Sequence, residues 1–202
     1  MALQCDAGSW KATLIGKEAD AAFALCEQAL AIDPNNVRAL MQLGWKFFRL
    51  AQSGVSGDPK GDLERADELA SKALALDPDW PASHDLKGNI LGFQARYQEA
   101  VAEHKLALAL APSYADAARD LGWDYARFGE FDKSQEYFDK AIWESPRDPS
   151  LPHLYGGKAS AYFGLKQYDK AIDWARQAID DQSELRPVYS CDPCGGARLS
   201  RS

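Results

Sequence analysis

The chain has 202 residues, of which 46% are hydrophobic and 26% charged, and its 23 Lys and Arg against 30 Asp and Glu give a formal net charge of -7. A chain of this length buries about 70% of its unfolded surface and needs no disulfide or metal staple to fold. The acidic balance argues against binding nucleic acid through its phosphates, which requires Lys and Arg, and against docking on anionic membranes.

Residues 1–10 contain Asp6 and lack a basic segment followed by an apolar one, so no secretory signal is expected there. No run reaches about 18 apolar residues, and no transmembrane helix is expected. The first helical pattern, Lys17–Ile32, ends in Ala29-Leu-Ala-Ile-Asp-Pro34. The same ending returns at Ala73 to Pro78, at Ala107 to Pro112 and at Ala141 to Pro146, with 34 residues between each of these three copies. A copy starting at Ala178 has no proline. Proline stops a helix because the residue before it is biased away from helical dihedrals.

Other landmarks keep the same frame. Gly44, Gly88 and Gly122 recur, with Ala159 in the fourth place; Tyr97, Phe131 and Tyr168 form a second series, and Ala66, Ala100, Ser134 and Ala171 a third. Each unit reads as two helices, the first carrying residues such as Leu121, Gly122 and Tyr125, the second residues such as Phe138 and Ala141. The small residues let helices approach, and the aromatic series fills the wedge between them. The units are 37–80, 81–114, 115–148 and 152–185, after a degenerate unit at about 3–36. Ten extra residues within 51–62 read as an exposed loop rich in Gly and Pro, and three extra residues precede the last unit.

The run of Leu-Gly, an aromatic three residues on, then Ala, Phe, Ala and a terminal Pro resembles the tetratricopeptide repeat. The resemblance covers about residues 17–181 and implies an all-α fold, a right-handed superhelix of antiparallel helix pairs with about four to five repeats. The array would occupy 1–182, followed by a flexible tail over 183–202. The inserted loop and the shifted last unit are similar to the arrays that follow the catalytic domain in some bacterial class III adenylate or guanylate cyclases, and to those in some transcription regulators. That implies a regulatory or sensory setting as an alternative, although the sequence holds no cyclase catalytic domain.

The leading functional reading is a non-enzymatic, cytoplasmic protein-interaction module that takes a peptide or a partner's helix in its concave groove. Carried onto this sequence, the family's groove positions fall at Arg38, Met41, Trp45, Phe48 and Arg49, at Asp85, Asn89 and Phe93, at Asp116, Arg119, Trp123 and Arg127, and at His153, Ser160 and Phe163. Four arginines against two aspartates imply an acidic or carboxylate-terminated partner. The competing reading has Trp45 and Trp123 packing between repeats, and the arginines pairing with Asp85, Asp116 or Asp124.

Enzymatic features are weak. His84, His104 and His153 have no cysteine nearby in sequence, and His104 takes the place of Phe138 in the next unit, which makes it a packing residue. Gly54-Val-Ser-Gly57 lacks the Lys-Ser/Thr of a phosphate-binding loop. No catalytic residue, metal ligand or cofactor is assigned. Cys5, Cys26, Cys191 and Cys194 are too few for a disulfide scaffold and fit a reducing compartment. The Cys191–Cys194 pair lacks the second pair that zinc wants, although a small metal- or redox-active protein using that pair is a further alternative. Ile172, Ala175 and Ile179 lie on a face that nothing later in the sequence clearly covers. Further repeats, the tail or a second copy in a homodimer would cover it.

Overall fold

A computed structural model describes residues 17–189, with side chains described for residues 21–181. The helices in chain order are α1 (Lys17–Ile32), α2 (Val37–Ser53), α3 (Pro59–Leu76), α4 (Pro81–Phe93), α5 (Tyr97–Leu110), α6 (Ala115–Arg127), α7 (Phe131–Glu144), α8 (Leu151–Gly164) and α9 (Tyr168–Tyr189). The described residues contain no strand, and no helix among them is long and apolar enough to cross a membrane.

Local sequence sets the helix ends. Asn36 accepts from the Ala39 amide at 3.0 Å and starts α2; Asp58 does the same for Gly61 at 3.0 Å and starts α3. Both satisfy amide donors that a helix start leaves unpaired. Proline stands in the first turn of α3, α4 and α8, where its missing N–H costs nothing. The segment 51–62 is not all loop. α2 continues to Ser53 and α3 begins at Pro59, because Gly54 with φ 69° ends one helix and Asp58 caps the other. The inserted residues therefore mainly lengthen two helices.

The pairs α2/α3, α4/α5, α6/α7 and α8/α9 each fold back on themselves and touch the next pair, and α1 packs on α2. The only contacts among the described helices that skip a helix are α2 with α4, α4 with α6 and α6 with α8. First helices thus stand side by side along one face, and second helices back them. This is the expected all-α helical-repeat architecture.

The core is a row of small clusters instead of one centre. Phe23, Cys26 and Ala29 of α1 meet Ala39 and Leu43 of α2. Leu40, Met41 and Phe48 of α2 meet Ala66, Ala70 and Ala73 of α3 and Leu86 and Ile90 of α4. Ala118, Phe138, Ala141 and Leu154 join α6, α7 and α8. Close approach is needed at Gly122, where a Cβ would lie 2.6 Å from the Phe138 ring.

One expectation needs correction here. α9 runs on to Tyr189, past residue 182, where the tail was expected to begin. Cys26 is fully buried where α1 packs on α2. The first half of the degenerate unit and the Cys191–Cys194 pair lie outside the described residues.

Candidate functional site

The face formed by α2, α4, α6 and α8 holds two adjoining clefts. The first has a volume of about 540 Å³. Arg38, Met41, Trp45 and Arg49 form one wall, Asp85 the floor, and Asp116 and Arg119 the far wall. Trp80 and Tyr114, each just before a first helix, complete it. The second cleft, about 460 Å³, brings together Asn89, Phe93, Trp123, Arg127 and His153, with Asp120 and Asp124 on α6.

Most residues expected in the groove are therefore there, and three are not. Phe48 is 3% exposed and turns into the core, where it meets the Phe93 ring edge-on at 6.1 Å. Its helix position faces α3 and α4 together, so packing claims it. Ser160 and Phe163 line a separate apolar hollow with Tyr168, Ala171, Ile172 and Ala175 at the α8/α9 end. Phe163 and Ile172 remain 66% and 48% exposed there, and no later pair of described helices covers them.

The tryptophans play mixed roles. Trp45 lines the first cleft while its ring meets Phe48 edge-on at 5.8 Å. Trp123 packs between repeats, 5.3 Å from Phe138 and 4.7 Å from His153, ring centre to ring centre. Its indole N–H is buried without a hydrogen-bond partner among the described residues.

The expected excess of positive charge does not survive. Arg119 donates to Asp116 at 2.5 Å and to Asp120 at 2.8 Å; Arg127 donates to Asp124 at 3.0 Å. Burial alone would pull Arg119 down, but the charge of Asp120 and its hydrogen bond, with Asp116, hold it above the usual range. Asp120 and Asp124 were missing from the expected groove, and they balance Arg119 of the first cleft and Arg127 of the second. Arg38 lies over the Trp80 ring at 5.4 Å. Arg49 differs: burial lowers its pKa, and no ion pair is formed to it among the described residues. A half-buried guanidinium facing a cleft carries a desolvation cost that an anionic ligand would offset.

A buried polar layer separates the two clefts. Asp85 on α4, His104 on α5, and Asp120 and Asp124 on α6 are all buried. His104 Nδ1 lies 2.8 Å from Asp124 Oδ2. Asp120 Oδ2 accepts from Asn89 Nδ2 at 2.6 Å, and Asp85 Oδ2 accepts from the Tyr114 hydroxyl at 3.2 Å. Burial, and then the charge of Asp120, push Asp85 well above the usual carboxylate range. Burial pulls His104 down, but the Asp124 hydrogen bond and the three aspartates overrule it and raise it to about 8. His104 is thus no simple packing residue. His84 is held by Glu103 and by the Pro78 carbonyl, both at 2.7 Å, which uses both ring nitrogens structurally.

Residues 152–180 match the family model described as tetratricopeptide repeat. The structure of MamA superposes with a TM-score of 0.61 and 27% identity, over 83% of this chain and 91% of that one. A thermophilic tetratricopeptide-repeat protein of Thermus thermophilus superposes with a TM-score of 0.65 at 22% identity, over 85% and 88% of the two chains. The chain has the all-α helical-repeat fold of these structures, and residues 152–180 carry the tetratricopeptide-repeat pattern itself. YrrB, a repeat protein described as having an unusual peptide-binding site, shares the repeat fold with a TM-score of 0.55 at 18% identity, over 83% and 79% of the chains. The stress-induced-phosphoprotein 1 of Caenorhabditis elegans is 32% identical over 73 residues, 36% of this chain. This chain covers 22% of that relative's length.

Residues missed from sequence had one legible signal. Trp80 and Tyr114 stand 34 residues apart, one repeat, immediately before α4 and α6. Gln52 and His104 reach the second cleft from positions that the first-helix pattern does not mark.

Proposed function

We propose that the concave face binds an extended segment of a partner protein, with a carboxylate in the first cleft. The observation that carries this is Arg49, a half-buried cation without an ion pair among the described residues, on the wall of a cleft of about 540 Å³. Trp45 and Trp80 offer flat apolar surface beside it. The groove is largely preformed by helices that pack on one another, so little ordering entropy opposes binding. Acidic recognition is confined to the first cleft, because Arg119 and Arg127 are already engaged by aspartates. Binding alone, without catalysis, is the action proposed.

The test uses displayed ten-residue peptides made with free and with amidated C-termini. The proposal predicts that free-carboxylate peptides, or peptides with internal Asp and Glu, are enriched on the wild-type protein. Equal capture of amidated, uncharged peptides would remove the carboxylate reading. The proposal extends to a second copy covering the apolar α8/α9 hollow. Light scattering that stays at the monomer mass over tens of micromolar overturns that part.

A further inference from the structure

The polar layer between the clefts has a property that partner binding does not use. His104 Nε2 and Asp85 Oδ1 face one another at 3.9 Å. Asp85 is fully buried, and its Oδ1 has no hydrogen-bond partner among the described residues. One donor atom from each of Asp85, His104 and Asp120 lies within 4.8 Å of the others. In the neutral tautomer that donates Nδ1–H to Asp124, the imidazole would present its Nε2 lone pair toward two carboxylates. Lone pairs so gathered in a dry interior are satisfied either by protons on Asp85 and His104 or by a cation that displaces those protons.

The repeat frame shows that this layer is a departure and not a packing need. One repeat on, the place of His104 is held by Phe138, which lies against Gly122 as His104 lies against Gly88. One repeat earlier, the places of Asp120 and Asp124 are held by Leu86 and Ile90, and that of Asp85 by Met41 across the longer first offset. All of these counterparts are buried and apolar. Of these four polar replacements, Asp120, Asp124 and His104 have partners in the layer, while Asp85 Oδ1 is left without one among the described residues, which is costly in a buried site.

We infer that Asp85, His104 and Asp120 form a binding site for a divalent transition cation of the zinc class, seated between the second and third complete helix pairs. Imidazole with two carboxylates suits such a cation, which would share the Asp120 carboxylate with Arg119, 2.8 Å away. Tetrahedral coordination with bonds near 2.1 Å places ligand atoms roughly 3.4 Å apart, so the observed spacing closes with sub-ångström shifts. Asp124 takes the place of the outer carboxylate that orients a ligating histidine and fixes its tautomer. Asn89, whose amide nitrogen lies 3.4 Å from His104 Nε2, would bring its oxygen in as a fourth donor by rotating its carboxamide. The cation would join α4, α5 and α6 and stiffen the wall that both clefts share.

Protein stripped of metal with a chelator is titrated with zinc by calorimetry, and with cobalt by visible absorption. Four chains are compared: wild type, Cys191→Ser with Cys194→Ser, His104→Phe, and Asp85→Asn. Phenylalanine is chosen because Phe138 shows that the slot accepts it. The expected result is one zinc per chain in the wild type and in the double serine variant, a cobalt spectrum without thiolate charge transfer, and at least a tenfold loss of affinity in the other two. A melting temperature that rises with zinc in the wild type, but not in His104→Phe, is expected alongside. Absence of binding at tens of micromolar zinc, or binding lost only with the two cysteines, overturns the inference. A His104→Phe chain with native circular dichroism and undiminished zinc binding overturns it equally.

Discussion

Arg49 and Arg127 occupy equivalent places in two repeats and differ in what surrounds them. Arg127 is neutralised by Asp124 at 3.0 Å, while Arg49 has no ion pair among the described residues. The consequence is an asymmetry that the sequence pattern alone would not give. Arg49→Ala is expected to weaken an anionic peptide selected on the wild type by about tenfold or more, the worth of one charge-assisted hydrogen bond. Arg127→Ala should change it by less than about threefold, since its guanidinium is already engaged. Calorimetric titration of the same peptide into both variants checks this. A larger loss at Arg127 would place the anion site in the second cleft.

Residue-scale packing makes a second expectation. Phe138 is fully buried between Gly122 and Gly157. Phe138→Ala should cost about 3–5 kcal/mol of unfolding free energy in urea denaturation. Gly122→Ala should cost ~1–3 kcal/mol, because the new methyl meets a ring that cannot retreat. A Gly122→Ala protein of wild-type stability would show that α6 and α7 have more room than the structure gives them.

At the scale of the element, the turn inside each pair recurs with a left-handed residue. Ala95, Gly129 and Lys166 have φ of 62°, 73° and 60° and stand one repeat apart. Only Gly129 is free of the steric penalty that a Cβ carries in that region. Ala95→Gly is therefore expected to stabilise the α4/α5 pair by roughly 1 kcal/mol, read as a higher denaturation midpoint. Gly129→Ala should do the reverse. Unchanged or opposite shifts would mean that these turns relax at no cost.

The helices themselves were legible in the sequence, because proline, glycine and alanine recur in one frame that serves both local geometry and packing. The first-helix face was legible too: Trp45, Arg49, Asn89 and Trp123 lie where the period puts them. What the period could not show is which neighbour a side chain prefers. Phe48 shares a helix stripe with Trp45 and yet sinks into the core, because α3 offers Ala66 and Ala70 beneath it. The arginine count misled because Asp120 and Asp124 sit close to their partners along α6 and pair within it. Likewise, 51–62 read as a loop because Gly54 and Pro59 mark helix ends. They do so only at the boundaries of two longer helices.

For the whole molecule, stability follows from contacts between neighbours. Each pair touches the next, and no cluster among the described residues spans the array. Such arrays unfold from their ends. Amide exchange is expected to be slowest in α4 to α7 and faster in α1 and α9, where one flank is uncovered among the described residues. Uniform protection from α2 to α9 would indicate a single cooperative unit. The net charge of -7 describes the molecule as a whole, while the groove carries Arg49 on one wall and balanced pairs on the other.

The central claim is that partner binding occurs in the concave clefts. The most direct measurement is the affinity of one selected peptide for three single variants: Trp45→Ala, Arg49→Ala and, on a second helix, Lys105→Ala. The account predicts at least a tenfold loss for the first two and none for the third, with native circular dichroism in all. Affinity unchanged in both groove variants, or reduced equally by Lys105→Ala, would contradict it.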